Sequence, residues 1–108
     1  MLTGYRLMWM LVMFDLPVTE AAERKAATGF RKFLLDQGFE MAQFSVYLRH
    51  CTGPEQTETL TKRVQGELPQ GGKVDILCFT DKQYERIASF VGKKRAGARK
   101  NPDQFSLF

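Results

Sequence analysis

One carboxylate stands where the sequence gives it a chance to do chemistry. Asp15 ends an unbroken apolar run, Leu7 to Phe14, and comes two residues before Pro17. A carboxylate at such a strand end can bind Mg²⁺, which takes oxygen ligands and usually only one or two carboxylates. Two copies of Asp15 brought together across a dimer axis would hold one ion, and that ion can polarise a phosphodiester and generate hydroxide. The alternative is a solvated strand end or a carboxylate that caps the following turn, and the residues alone favour this alternative.

No second catalytic set is visible in the sequence. His50 is the single histidine and stands in no recognisable nucleophile motif. Cys51 and Cys78 are far apart and lack the spacing of a zinc site, so we interpret them as reduced thiols of a cytoplasmic protein. Asp75 and Asp81 bracket a predicted strand and are expected to be exposed. Candidate metal ligation and catalysis therefore rest on the strand-end aspartate.

The bulk composition limits the class of protein. The chain has 108 residues, enough for one domain, of which 44% are hydrophobic and 26% charged. Its net charge of +4 is compatible with a nucleic-acid partner but does not require one. The apolar run is too short to span a bilayer, and no small-residue cleavage site of a signal peptide follows it. We therefore expect no membrane partner.

The segment that leads to Asp15 is predicted to be a strand, Leu7 to Phe14, from its length and its flanking residues. Both of its faces are apolar, so both sides of the sheet should be covered here. A helix should follow from an N-cap at Thr19 to Gln37, with Gly38 as its C-terminal stop. Its predicted apolar face consists of Ala22, Ala26, Phe30, Phe33 and Leu34.

The second half of the chain repeats this alternation of element types. Residues 39–51 are extended in character and predict one long strand or a tight hairpin. Thr52 and Glu55 have the spacing of a capping box at the start of a second helix. The apolar stripe of that helix would be Leu60, Val64 and Leu68. A strand over 73–79, a turn over 80–84 and a last short strand over 87–91 complete the prediction.

This order predicts an α+β fold, the ferredoxin-like βαββαβ sandwich with an extra short C-terminal strand, if the extended segment is a hairpin. Helices cover only one face of the sheet in that fold. The other apolar face needs a cover that a short chain has little left to supply, so we expect a homodimer packed sheet to sheet. Residues 1–91 would form the domain, and residues 92–108 a basic flexible tail.

Three segments together resemble the family of CRISPR-associated protein two, in the form found with type II systems. They are MLVMFDLP at residues 10–17, GFEMAQFSVYLR at residues 38–49 and FTDKQYERI at residues 79–87. The resemblance implies a ferredoxin-like fold, a symmetric dimer and a tight hairpin within residues 43–47. It also implies a CRISPR adaptation protein, whose dimer bridges two dimers of the CRISPR integrase and holds duplex protospacer DNA for spacer acquisition.

Some members of that family are reported as metal-dependent nucleases on RNA or DNA, and Asp15 matches the family's strand-end aspartate. Phe14 stands where a tyrosine is common, and Met41 where many members carry an arginine, so two polar groups are missing near the supposed site. We therefore place the assembly role first, and whether the chain is an enzyme stays open. The alternative is a magnesium-dependent endonuclease that uses paired Asp15 residues, and a toxin-like ribonuclease of related fold comes third.

The first helix carries a basic flank. Duplex DNA is bound mainly through phosphate contacts that do not read sequence, which suits a protein that must accept any spacer. The alternative is an ordinary solvated helix face. The candidate DNA-binding residues are Arg24, Lys25, Arg31 and Lys32.

Three of the last four residues of the tail are apolar and follow a basic linker, which is typical of a tethered docking peptide. We rank docking on the integrase first and folding back onto the domain second. Binding to the bacterial sliding clamp comes third, because the last five residues resemble the clamp-binding motif Gln-Leu-Ser-Leu-Phe with Phe105 in place of leucine. The candidate docking residues are Gln104, Phe105, Leu107 and Phe108.

Overall fold

A four-stranded antiparallel sheet with the strand order β2-β3-β1-β4 organises the molecule. The computed structural model describes residues 7–97 and Arg99. The strands are β1 (Met8–Asp15), β2 (Glu40–Gln43), β3 (Val46–Cys51) and β4 (Lys73–Thr80). The helices are α1 (Ala21–Asp36), α2 (Pro54–Gly66) and α3 (Asp81–Glu85). The order of these elements confirms the predicted ferredoxin-like α+β fold.

One face of β1 is buried beneath the two long helices. Met10, Val12 and Phe14 alternate along the strand and are at most 8% exposed. Burying a large apolar side chain stabilises the fold by about 1.5–3 kcal/mol, so this face holds the main core. The core is completed by Phe30, Leu34, Phe39, Tyr47, Cys51, Leu60 and Val64.

The first helix is rotated relative to its predicted apolar face. Ala27 is buried with Phe30 and Leu34, whereas Ala22 and Ala26 are exposed. An alanine gains little by burial, so the two large side chains determine which face meets the sheet. The predicted N-cap was also wrong: it is Glu20, whose backbone N–H is accepted by the Glu23 side chain at 2.9 Å.

The starts of the two later helices differ from prediction. The N-cap of α2 is Gly53, and Gln56 rather than Glu55 accepts the backbone N–H of Thr52, at 2.9 Å. Because α2 ends at Gly66, Leu68 lies beyond it and is 48% exposed. The predicted turn over residues 80–84 is the short helix α3. Its N-cap, Thr80, accepts the backbone N–H of Gln83 through its hydroxyl.

Two hairpins interrupt the alternation of strands and helices. Phe44 and Ser45 join β2 to β3, which confirms the tight hairpin, and Ser45 adopts a left-handed φ of 63°. The last predicted strand is shorter than expected: β5 (Phe90–Val91) pairs with β6 (Lys94–Arg95) in a separate two-stranded sheet. This second hairpin crosses residue 91, where the sequence predicts a domain boundary, and that boundary stays a prediction. The docking pentapeptide, residues 104–108, lies outside the described residues.

The other face of the sheet is covered only at one end by the described residues. There Tyr84 of α3 stacks on Trp9 with ring centroids 3.8 Å apart, and the Trp9 indole N–H donates to Asp81 at 2.8 Å. Asp81 is 5% exposed, so its predicted exposure was wrong, because a partner far away in sequence buries it. Further along, Met13 and Leu77 remain 38% and 45% exposed. We call this open surface the outer face.

Candidate nucleic-acid and metal site

Asp15 is the last residue of β1, and its side chain is exposed on the outer face. Antiparallel pairing places it opposite Lys73, the first residue of β4. A shallow depression of about 230 Å³ opens beside it. This depression is also lined by Phe44 and Ser45 from the first hairpin and by Asp75 from β4. Three segments distant in sequence therefore meet at the predicted carboxylate.

The backbone of Asp15 is held by the glycine turn that leads into β4. Gly72 has a φ of 76°, and a Cβ built on it would lie 2.6 Å from the Asp15 carbonyl oxygen and 3.0 Å from Leu16 Cα. Real Cβ atoms do not approach a backbone oxygen so closely. A glycine is thus needed at position 72 for two reasons. It adopts the left-handed conformation freely, and it leaves room for the backbone at the end of β1.

Two carboxylates, Asp15 and Asp75, and one ammonium group, Lys73, line the depression. Lys73 Nζ lies 3.6 Å from Asp75 Oδ2 in a solvent-exposed pair, which stabilises the fold by at most about 1 kcal/mol. Asp15 is in no ion pair with any other described residue. Its carboxylate is therefore available to a ligand from outside the chain.

The described carboxylates of one chain do not form a complete metal site. Among residues 7–97 and Arg99, no group of three or more His, Cys, Asp or Glu side chains could hold a metal ion. Mg²⁺ usually keeps several waters and binds one or two carboxylates together with substrate phosphate. The exposed oxygens of Asp15 fit the role of one such ligand. Asp75 lines the same depression but is paired with Lys73, so we expect the second carboxylate from another copy of the chain.

The four candidate DNA-binding residues of α1 differ in their surroundings. Arg24 donates through Nη1 to the carbonyl oxygens of Val18 and Thr19, at 3.2 and 2.7 Å, so it braces the turn before its own helix. Lys25 and Lys32 point into solvent on the side of α1 opposite its buried residues. Neither lysine is in an ion pair with another described residue, which leaves both free for phosphate.

Arg31 lies closer to the sheet than predicted, as a result of the rotation of α1. Its guanidinium carbon is 5.7 Å from the centroid of the Phe44 ring and 6.0 Å from that of Phe14, both within the range of cation–π attraction. Arg31 therefore links the basic helix to the hairpin beside Asp15.

Sequence reasoning overlooked Phe44 as a site residue. The segment over residues 39–51 is extended in character, which did not mark Phe44 as a turn residue, whereas its side chain lies at a hairpin tip and is 83% exposed. The available signal was the tight hairpin that the family resemblance implies within residues 43–47.

A hollow larger than this depression lies away from Asp15. It measures about 700 Å³ and is lined by Trp9, Leu48, His50 and Tyr84 on the outer face. Its walls carry no acidic cluster. The hollow with the larger volume is therefore not the one whose side chains could bind a metal ion. We give more weight to the smaller depression, because it holds the exposed carboxylate beside cationic and aromatic side chains.

The fold and this site define a small ferredoxin-like domain with an acidic strand end, a basic helix and an open apolar sheet face. Residues 8–87 match the family described as CRISPR associated protein Cas2, and the chain belongs to that family. This confirms the family expected from the three sequence segments.

Similar proteins from three organisms carry the name CRISPR-associated endoribonuclease Cas2. The protein of Paracidovorax avenae is 68% identical over 108 residues, which cover 100% of both chains. That of Flavobacterium psychrophilum is 47% identical over 99% of this chain and 93% of its own. That of Parvibaculum lavamentivorans is 46% identical over 94% of this chain and 100% of its own.

The described residues include no helix that is long and apolar enough to cross a membrane.

Proposed function

We propose that this chain acts in CRISPR adaptation as a homodimer that bridges integrase dimers and binds the backbone of duplex DNA. The observation that carries the proposal is the open outer face. Met13 and Leu77 are 38% and 45% exposed there, beside the partly exposed side chains of Leu11, Val46 and Leu48. A contiguous apolar patch on one side of a sheet is typical of a protein–protein interface.

A second copy is the partner that fits this face best. A two-fold contact places the same patch on both subunits, so two apolar sheets would bury one another. The helices α1 and α2 lie on the opposite side of each sheet and would stay on the outside of the dimer. Two identical outer surfaces related by a two-fold axis suit a subunit that bridges two identical partners.

The basic flank of α1 supplies the proposed contact with DNA. Lys25 and Lys32 are exposed, and each phosphate that they neutralise would add about 0.9 to the slope of log affinity against log salt. Backbone contacts of this kind accept any sequence. Binding should therefore weaken steeply with salt and change little between duplexes of different sequence.

Two measurements test this proposal. Sedimentation should give a dimer, and Met13→Lys together with Leu77→Lys should give a monomer with unchanged secondary structure. Lys25→Glu with Lys32→Glu should weaken duplex binding and reduce its salt slope. Lys82→Glu with Arg86→Glu changes the same charge on exposed residues near α3 and serves as the control. A native monomer, or equal losses in the two charge variants, would contradict the proposal.

A second candidate function is a magnesium-dependent endonuclease. The carboxylate of Asp15 favours it, because this group is exposed and is in no ion pair with another described residue. The relatives' name, endoribonuclease, points in the same direction. Asp15 from each subunit would hold Mg²⁺, and the bound ion would polarise the scissile phosphate and activate water. Gly72 would keep both carboxylates in position through its contact with the Asp15 backbone.

A cleavage assay separates this candidate from the assembly role. Labelled single-stranded RNA and duplex DNA are incubated with native protein, Asp15→Asn and the control Asp36→Asn, with Mg²⁺ or with chelator. Asp36 is an exposed aspartate at the end of α1 and does not line the depression. The candidate requires cleavage that needs Mg²⁺, is lost in Asp15→Asn and survives in Asp36→Asn. Equal cleavage by native protein and Asp15→Asn would exclude Asp15 as the catalyst and leave the assembly role.

The docking role of the tail is proposed on its sequence alone. Deleting residues 104–108 should weaken binding to the integrase, and a parallel measurement with the bacterial sliding clamp tests the lower-ranked partner. Unchanged binding to both proteins would leave only contact with the tail's own domain.

A further inference from the structure

Phe44 is a large apolar side chain presented to solvent by a well-defined turn. Its exposed fraction is 83%, the highest among the large hydrophobic side chains of the described residues. The turn is fastened to β1, because the backbone N–H of Phe14 donates to the carbonyl oxygen of Ser45 at 3.1 Å. Exposure of such a ring has a free-energy cost that a partner surface would relieve.

Phe44 has two cationic side chains near it, and the carboxylates of Asp15 and Asp75 line the same depression. The Arg31 guanidinium lies 5.7 Å from the ring centroid, and Lys73 lines the same depression. Aromatic side chains beside cations are how proteins bind unpaired nucleotides, because bases stack on the ring while the cations attract phosphate. An apolar protein partner would instead favour an uncharged border.

Asp15 lines the same depression as Phe44. From this juxtaposition we infer that Phe44 is a stacking platform for one unpaired nucleobase, which places the adjoining phosphate beside Asp15. This inference rests on the proposed nucleic-acid function and deepens it. The nucleic acid bound at this edge is then single-stranded, and a fully paired duplex lacks the group that the platform recognises.

Binding measured in chelator tests the platform without any cleavage. The first probe is a labelled single strand of about eight nucleotides, a typical site size, and the second is a blunt duplex. Stacking of one base contributes about 1–3 kcal/mol, so Phe44→Leu should weaken binding of the single strand by about 5- to 150-fold. Phe44→Trp should restore it, and duplex binding should be unchanged in both variants.

Phe90→Leu is the matched control. Phe90 is 63% exposed and has its own cationic neighbour, Arg95, whose guanidinium carbon lies 5.9 Å from the ring centroid. The control should bind the single strand as the native protein does. Equal affinities of Phe44→Leu and Phe90→Leu for the single strand would overturn the inference. A loss of binding in Phe44→Leu that is accompanied by dissociation of a dimer would overturn it too, because Phe44 would then be a subunit contact.

The lysine variant on α1 keeps this inference separate from the function on which it rests. If Lys25→Glu with Lys32→Glu weakens binding of both probes while Phe44→Leu changes neither, the platform is refuted and backbone binding stands. If the lysine variant binds both probes normally while Phe44→Leu loses only the single strand, backbone binding by α1 is refuted and the platform stands.

Discussion

Replacing Gly72 by alanine should damage the end of β1 far more than the same change one residue earlier. Gly71 and Gly72 share a left-handed conformation, with φ values of 77° and 76°. A Cβ on Gly71 would meet only Pro17, at 3.7 Å, which is ordinary van der Waals contact. A Cβ on Gly72 would lie 2.6 Å from the Asp15 carbonyl oxygen. The two variants therefore differ in the close contacts with Asp15 and Leu16 that only an alanine at position 72 would make.

The expected losses in the free energy of unfolding follow from the left-handed backbone conformation and from the steric contact with Asp15. The left-handed conformation costs an alanine about 1–2 kcal/mol, and loss of a flexible glycine from the unfolded chain returns about 0.4–1 kcal/mol. Gly71→Ala should thus lower the free energy of unfolding by about 1 kcal/mol. Gly72→Ala adds an overlap of the kind that costs about 1–3 kcal/mol in packed sites. The strand end cannot easily retreat, because Asp15 pairs with Lys73 and the adjoining Phe14 donates its backbone N–H to Ser45.

Urea unfolding of both variants at one protein concentration measures this difference. Gly72→Ala should be less stable than Gly71→Ala by about 1–3 kcal/mol, which corresponds to a difference in Tm of about 4–8 °C for each kcal/mol. Equal stabilities would refute the argument that Gly72 holds the backbone of Asp15. Greater damage in Gly71→Ala would refute it too, because both variants carry the same conformational cost.

Three further changes test other contacts. Trp9→Phe should lower the free energy of unfolding by about 1–3 kcal/mol, because Asp81 keeps its burial and loses its donor; adding Asp81→Ala should cost less than the sum of the two single changes. Burial raises the pKa of the Cys51 thiol, so a thiol reagent at pH 8 should label the exposed Cys78 alone until urea is added, as mass spectrometry would show. The folded Cys51 thiol keeps its proton to a higher pH than the unfolded one. Its burial therefore lowers the free energy of unfolding only above the ordinary pKa of a free thiol. Ser45→Gly should raise Tm slightly and Ser45→Val should lower it, because only glycine adopts a left-handed φ freely.

The sequence was sufficient for the parts of the fold that depend on local pattern. β1 differs by one residue at each end from its prediction, because a long apolar run next to Pro17 leaves few alternatives. The same run explains how Asp15 could be chosen as a candidate, since a carboxylate after eight apolar residues must lie at an edge. The α1 face was less predictable, because two alanines contribute little to the choice of rotation.

Contacts between distant segments were beyond local pattern. Trp9 and Asp81 are separated by 72 residues, and α3 looked like a polar turn because it has only five residues. Phe44 was overlooked for a similar reason, since alternation does not indicate where a hairpin turns. The cationic neighbour of the Phe44 ring, Arg31, was also not predictable, because its position depends on the rotation of α1 and packing determines that rotation.

The stacked pair of Trp9 and Tyr84 at the start of β1 gives the protein an intrinsic fluorescent probe. Trp9 is the chain's single tryptophan, and its indole is enclosed by Tyr84, His50 and the Asp81 carboxylate. Its emission therefore reports whether α3 is docked, with no dye attached. Asp15 lies six residues further along the strand, roughly 20 Å away. Fluorescence should then stay constant while a ligand fills the Asp15 depression, and a change would reveal movement transmitted along the whole strand.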